Sequence, residues 1–221
     1  MTKGSRTMIY VDAFNLYYGA LKRSPYRWLN LESLFRNVFP NNDLVGIRYF
    51  TALVNAQPGN VDQPQRQQLY LRALRTLPLV TIIKGHYLCH PKTMPLAHPQ
   101  PGGKRFAEVL FTEEKGSDVN LASHLLMDGV KDRYDCAIVV SGDSDLATPI
   151  TMVREELKKT VGVLLPQSIG GGAQKQPRKS AKLRQVASFF REGIRSGVLS
   201  TSQFPSVLSD ADGNFSKPGK W

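Results

Sequence analysis

The sequence predicts an α/β fold, a central and mainly parallel sheet with helices on both faces, three layers in all. Three observations predict it. Short apolar runs alternate with helical patterns along most of the chain, the signature of strand–helix–strand units. The runs MIYV, CAIVV and VGVLL are continuously apolar rather than alternating, as strands buried on both faces must be. And 221 residues, 41% of them hydrophobic, suffice for one such domain with a real core.

Residues 8–11 read as the first buried strand, ending at Asp12. Asn15 to Lys22 reads as helix, broken before Pro25. Leu31, Leu34, Phe35 and Val38 recur at helical spacing behind a cap at Asn30, and Pro40 closes the helix. Val45–Val54 is β-branched and aromatic, hence a strand; Asp62–Thr76 is a polar surface helix; Leu79–Lys84 is the third strand. Residues 88–105 hold four prolines and no periodicity, so an excursion loop is expected, leading into a hairpin through Phe106–Thr112. A helix follows over Ser117–Val130 with Val119, Leu121, Ala122, Leu125 and Leu126 inward. Cys136–Val140 is a central strand running into Ser141-Gly142-Asp143. Leu146–Leu157 is helical, with Pro149 in its first turn, and Val161–Leu165 is another buried strand. Past Pro166 comes a Gly-rich, basic loop. Leu183–Ile194 reads as an amphipathic helix, and 210–221 as a flexible tail.

Bulk composition narrows the function. No apolar run approaches the roughly 20 residues of a membrane span, and MTKGSRTMIY lacks the marks of a signal peptide. Two cysteines, Cys89 and Cys136, make no disulfide framework and suit a reducing cytoplasm. Lys plus Arg is 29 against 18 acidic residues, a net +11, which favours a polyanionic partner. A basic surface kept soluble by charge is the plain alternative.

Parallel α/β sheets carry their functional groups beyond the carboxyl ends of the strands. Asp12 stands at one such end, in VDAFN; Asp143 and Asp145 stand at another, in SGDSD. Asp118, in EEKGSD, opens the helix that leads back into that same strand. Gathered carboxylates repel one another and their pKa values rise. A divalent cation removes that cost, and all-oxygen ligands suit Mg²⁺ or Mn²⁺ rather than zinc. Such a site activates water and holds a phosphodiester for in-line attack. Each aspartate alone has a simpler reading as a helix cap, Asp118 and Asp145 above all; the joint pattern is harder to assign to capping.

VDAFNL, EEKGSDVNLASHLL and VVSGDSDLATPI, in this order, resemble the NYN domain family, LabA-like or DUF88 group, of the PIN-like superfamily. The resemblance covers residues 7–167, leaving 168–209 as a basic loop and helical extension. It implies a PIN-like fold, a Mg²⁺ or Mn²⁺ site and ribonuclease activity, with a homodimer as a further implication. By motif position the first-strand Asp and Asn fall on Asp12 and Asn15, the Asp of KGxD on Asp118, and the S-x-D-S-D pair on Asp143 and Asp145. There is one departure: many relatives carry a further Asp where this chain has His124.

On this reading Asp12, Asp118 and Asp143 are the main metal ligands, and Asp145 serves a second metal or orients water. Asn15, Ser141 and Ser144 donate to carboxylate or phosphate. Lys115 and His124 stand at the mouth or pack beside it. Arg178, Lys179, Lys182 and Arg184, continued by Arg191 and Arg195, form a basic segment for RNA. Arg66, Arg72 and Arg75 form a second one, and Tyr17 and Tyr18 are candidates for stacking on bases. His86, Cys89, His90 and His98 have zinc-ligand types, but H-x2-C-H-x7-H matches no common zinc spacing. The rival is a catalytically inactive module that binds RNA or a protein partner. A haloacid-dehalogenase phosphatase needs its DxD at the first strand, and a dinucleotide-binding fold needs a Gly-rich turn there; DAFN is neither.

Overall fold

A computed structural model describes residues 4–56, 59–169 and 181–221. In chain order the elements are β1 (Arg6–Asp12), α1 (Ala13–Leu16) with a π-helical turn Tyr17–Leu21, α2 (Leu31–Val38), β2 (Asp43–Thr51), α3 (Gln63–Arg75), β3 (Val80–Lys84), β4 (His86–Pro95) and β5 (Phe106–Lys115). Then come α4 (Ser117–Val130), β6 (Cys136–Val140), a 3₁₀ turn Ser144–Leu146, α5 (Ala147–Glu155), β7 (Thr160–Leu164) and β8 (Ser168–Ile169). The chain closes with α6 (Ala181–Val186), β9 (Phe189–Arg191), β10 (Ile194–Arg195), α7 (Ser196–Thr201), β11 (Val207–Asp210) and β12 (Gly213–Ser216).

Six strands form one sheet in the order β3-β2-β1-β6-β7-β9, parallel throughout. Side chains of a strand alternate between faces. Ile9, Val11, Ile138 and Val140 meet the core under α1, α2, α3 and α7, while Met8, Tyr10, Ala137 and Val139 meet the core under α4, α5 and α6. β1 is buried from Thr7 to Asp12, each large apolar side chain contributing about 1.5–3 kcal/mol. From β1 the chain turns to one side of the sheet through β2, and from β6 to the other through β7. The strand order therefore reverses between β1 and β6, and such a switch point leaves a crevice beyond the carboxyl ends of the two strands.

Four expectations are corrected. Residues 88–105 are not simply a loop: β4 pairs with β5 over ten residues each as an isolated antiparallel ribbon. Pro91 and Pro95 fit because a two-stranded ribbon leaves half of its N–H groups unpaired. The amphipathic helix read over Leu183–Ile194 stops at Val186, and Phe189–Arg191 becomes the sixth strand of the sheet. Gly162 allows this, since the ring of Phe189 lies where a Cβ on residue 162 would be, 2.1 Å away. The stretch 210–221, expected as a flexible tail, carries β12, which pairs with β11 just before it. Arg72 binds Asp210 through two bonds of 2.7 and 2.6 Å, and the ring of Trp221 packs on Trp28 and Tyr70. Within α4, Val119 is 69% exposed rather than inward.

Candidate active site

The crevice between β1 and β6 is built by short-range polar chemistry. Asp12, 4% exposed, caps α1: its Oδ1 accepts from the backbone N–H of Asn15 at 3.0 Å. The Asn15 side-chain amide donates to its Oδ2, and Ser141, just past β6, donates to the same atom at 3.0 Å. Asn15 Oδ1 in turn accepts from Gly142 N–H at 3.1 Å. Asn15 and Ser141 thus tie the ends of the two central strands together and fix the Asp12 carboxylate between them. Asp143 N–H donates to Ser141 Oγ at 3.1 Å, and Asp143 Oδ1 accepts from Asp145 N–H at 2.9 Å. The capping aspartates are therefore Asp12 and Asp143. Asp118 and Asp145, the two read as possible caps, accept no hydrogen bond among the described residues.

Gly116, at φ +96°, makes the left-handed turn from β5 into α4 that other residues resist. Asp118 then stands in the first turn of α4. Its carboxyl is pushed up to about 6, by partial burial first and then by Asp12, Asp143, Glu114 and Asp145. Asp12 is also raised, chiefly by burial against its hydrogen bonds, with Asp143 adding repulsion. Asp118 thus feels the field of all three other aspartates, and Asp12 that of Asp143, and in both cases the like charge opposes ionisation.

The sequence model of the NYN domain family matches residues 6–194. The chain belongs to the NYN domain family. NYN domains are a PIN-like nuclease family, and the parallel sheet flanked by helices is the fold expected of one. The chain is similar to the 6-hydroxy-3-succinoylpyridine 3-monooxygenase HspA of Pseudomonas putida (strain DSM 28022 / S16), 31% identical over 240 residues, with 98% of this chain and 75% of that protein covered. Its fold is similar to the crystal structure of VPA0982, a protein of unknown function from Vibrio parahaemolyticus RIMD 2210633. The TM-score is 0.52 at 16% identity, across 97% of this chain and 99% of that one.

The donor set of this NYN domain suits a hard divalent cation, being all oxygen with a local surplus of negative charge. Among the described residues, however, no three His, Cys, Asp or Glu side chains are gathered as a closed metal cage would need. Mg²⁺ does not require one, because it binds through one or two carboxylates and keeps several waters. Ser117 Oγ, buried one residue before Asp118, has no hydrogen-bond partner among the described residues.

The remaining predicted residues divide. Ser144 opens the 3₁₀ turn between Asp143 and Asp145, half-buried. Lys115 pairs with Glu113 at 3.2 Å on the ribbon. His124 lies against Phe50, ring centroids 5.7 Å apart. Its pKa is lowered by burial and by Arg48, and its charged neighbours are Arg48, Asp128 and Arg133 rather than the four aspartates. Lys182 is exposed on α6. Arg184 is taken by Glu192 at 2.6 Å and by the ring of Phe190. Arg178 and Lys179 lie outside the described residues. Arg72, neutralised by Asp210, is no free phosphate contact. Cys89 and His90, strand neighbours on β4, face opposite sides of the ribbon.

Sequence reasoning missed two features. Glu114 accepts from Ser117 N–H at 3.2 Å and adds to the field on Asp118; the doubled acid in EEKGSD was the available signal. Asp128, 1% exposed, accepts from Tyr10 Oη at 2.9 Å, Arg48 Nη2 at 2.8 Å and Arg133 Nη1 at 2.9 Å. It anchors α4, the helix that carries Asp118 in its first turn, to β1 and β2. Its signal was an acid sharing the buried stripe of Leu121 and Leu125.

Proposed function

We propose that this NYN domain is a metal-dependent ribonuclease, with Asp12, Asp118, Asp143 and Asp145 holding Mg²⁺ or Mn²⁺ against an RNA phosphodiester. The observation that carries the reading is the convergence of these carboxylates on the β1–β6 switch point, where partial burial first, and then its acidic neighbours, hold Asp118 up to about 6. A divalent ion bound there supplies charge neutralisation at the phosphate and a water of lowered pKa. The protein's own part is positioning. Asn15 and Ser141 keep Asp12 in one orientation. Asp143 is held by its capping bond, while Asp145 is exposed and free to orient the attacking water. Ser144 is available to donate to a phosphate oxygen. The net charge of +11 supplies long-range attraction for the rest of the strand. Among the described residues of the C-terminal basic segment, Lys182 and Arg195 are exposed and make no salt bridge, and Arg191 lies over the ring of Phe39; Lys115 and His124 act at most from the periphery.

The 31% identity to a pyridine monooxygenase across 98% of the chain favours one second reading, hydroxylation of a heteroaromatic ring. One experiment separates the two. Wild type and Asp12→Asn are assayed for cleavage of single-stranded RNA with Mn²⁺, and in parallel for oxygen uptake with a nicotinamide reductant and a hydroxypyridine acid. Metal-dependent cleavage lost in the variant supports the nuclease. Ring-dependent oxygen uptake without cleavage supports the second reading. RNA binding with neither activity points to a non-catalytic module.

A further inference from the structure

Beside the carboxylates lies a cleft that the nuclease chemistry does not use. It starts at Ala13, the residue after Asp12, and its walls include Tyr17, Tyr70 and Trp221, with the exposed Tyr18 at the rim. It continues into a second hollow that shares Tyr17, Arg27, Arg66 and Trp221. The two hold about 70 and 250 Å³. Drug-sized ligands fill roughly 300–1,000 Å³, so the space suits one ring with a short arm rather than a peptide helix. Aromatic walls favour a flat π-system.

The charges in the cleft are unbalanced. Arg27, Arg66 and Lys220 face one carboxylate, Asp62. Asp62 is taken by Lys220 at 3.1 Å and by Arg66 at 3.8 Å. Arg27 is half-buried and makes no salt bridge among the described residues. It spends three N–H groups on backbone carbonyls, those of Leu21 at 3.3 Å, Lys22 at 2.6 Å and Lys220 at 3.4 Å. A guanidinium carries five, so two stay available, and no carboxylate pairs with it among the described residues. A half-buried cation among aromatic rings is a site for an anion attached to a planar ring.

We infer that the cleft of Tyr17, Tyr18, Tyr70, Trp221 and Arg27 holds one nucleotide of the RNA strand, its base among the rings and its phosphate on Arg27, one step from the bond presented to Asp12. This inference rests on the ribonuclease reading for the source of the ring. The same chemistry belongs to a free heteroaromatic acid, and the test separates the two sources.

The chain has two tryptophans, Trp28 and Trp221. Trp28 is 1% exposed and Trp221 lines the cleft, so intrinsic fluorescence reports occupancy. Uridine 5′-monophosphate, ribose 5-phosphate and a hydroxypyridine carboxylate are titrated separately into the full chain. Saturable quenching by the nucleotide, none by ribose 5-phosphate, and loss of the signal in Trp221→Phe are expected. Tyr18→Ala, at an exposed position that leaves the core intact, weakens nucleotide binding several-fold; it raises KM for RNA with kcat unchanged. No saturable quenching at millimolar nucleotide overturns the proposal. So does binding of the hydroxypyridine acid tenfold tighter than the nucleotide without displacement of RNA. If RNA is cleaved with an unaltered KM in Tyr18→Ala, the cleft assignment fails while the nuclease stands. If the nucleotide binds and is displaced by RNA but no RNA is cleaved, the nuclease reading fails while the cleft stands.

Discussion

Asp118 joins the sequence to the chemistry at a single carboxyl group. Its pKa is raised from 3.8 to about 6. Between those values the folded chain keeps a proton that the unfolded chain has lost, so stability falls as pH rises from about 4 to about 6 and levels off above. Asp118→Asn removes the penalty: its melting temperature is expected above wild type at pH 7 and equal to it near pH 4. Added Mg²⁺ or Mn²⁺ narrows the gap by stabilising the wild type alone. Equal melting at pH 7 without metal counts against the shared field. Asp128 behaves oppositely, because Arg48, Tyr10 and Arg133 hold its pKa down against burial. Its contribution is present above the ordinary carboxylate range and is lost on acidification below it. Asp128→Ala strands Arg48 and the Tyr10 hydroxyl, an expected cost of about 3–5 kcal/mol in denaturant unfolding. At this scale the four aspartates were legible because each ends a strand or opens a helix, a local signature. The Asp128 network was not, since its donors come from sequence positions as distant as Tyr10.

Among the elements, sequence reasoning succeeded where hydrophobic periodicity and capping agree. The helix predicted over 31–38 and capped by Asn30 is α2, with Ser33 N–H on Asn30 Oδ1 at 3.0 Å. It failed where long-range partners decide. Leu183, Val186, Phe189 and Phe190 have helical spacing, yet pairing with β7 and the space over Gly162 hold Phe189–Arg191 as a strand. The hairpin at 207–216 depends on Arg72, whose guanidinium both binds Asp210 and lies over the Phe215 ring. The β4–β5 ribbon lies at the other extreme. It is exposed along most of its length and is fastened at its base, where Tyr87 meets Phe14 and Glu114 holds Ser117. Replacing residues 90–111 by an Asn-Gly turn is expected to change stability by less than about 1 kcal/mol, a shift within roughly 2–4 °C for a chain of this size. A larger drop would show that the ribbon braces the domain.

On the scale of the molecule, the fold sets where chemistry occurs. Reversal of strand order between β1 and β6 opens a crevice, and the sequence fills its mouth with acids while the rest of the chain carries the surplus of cations. Fold class was readable from the alternation of strands and helices, and the placing of Asp12 at the end of β1 and of Asp143 beyond the end of β6 from the residues that follow those apolar runs. The aromatic cleft was not, because Tyr17, Tyr70 and Trp221 come from three distant parts of the chain and meet only through packing. The central claim is that these carboxylates cut RNA with a divalent ion. It is tested most directly by cleavage of a labelled single-stranded RNA, with and without Mn²⁺, by wild type and Asp143→Asn side by side. Cleavage by wild type that needs Mn²⁺ and falls at least a hundredfold in the variant is the predicted result. Cleavage that persists in Asp143→Asn, or a wild type that binds RNA and leaves it intact at saturating Mn²⁺, would contradict the account.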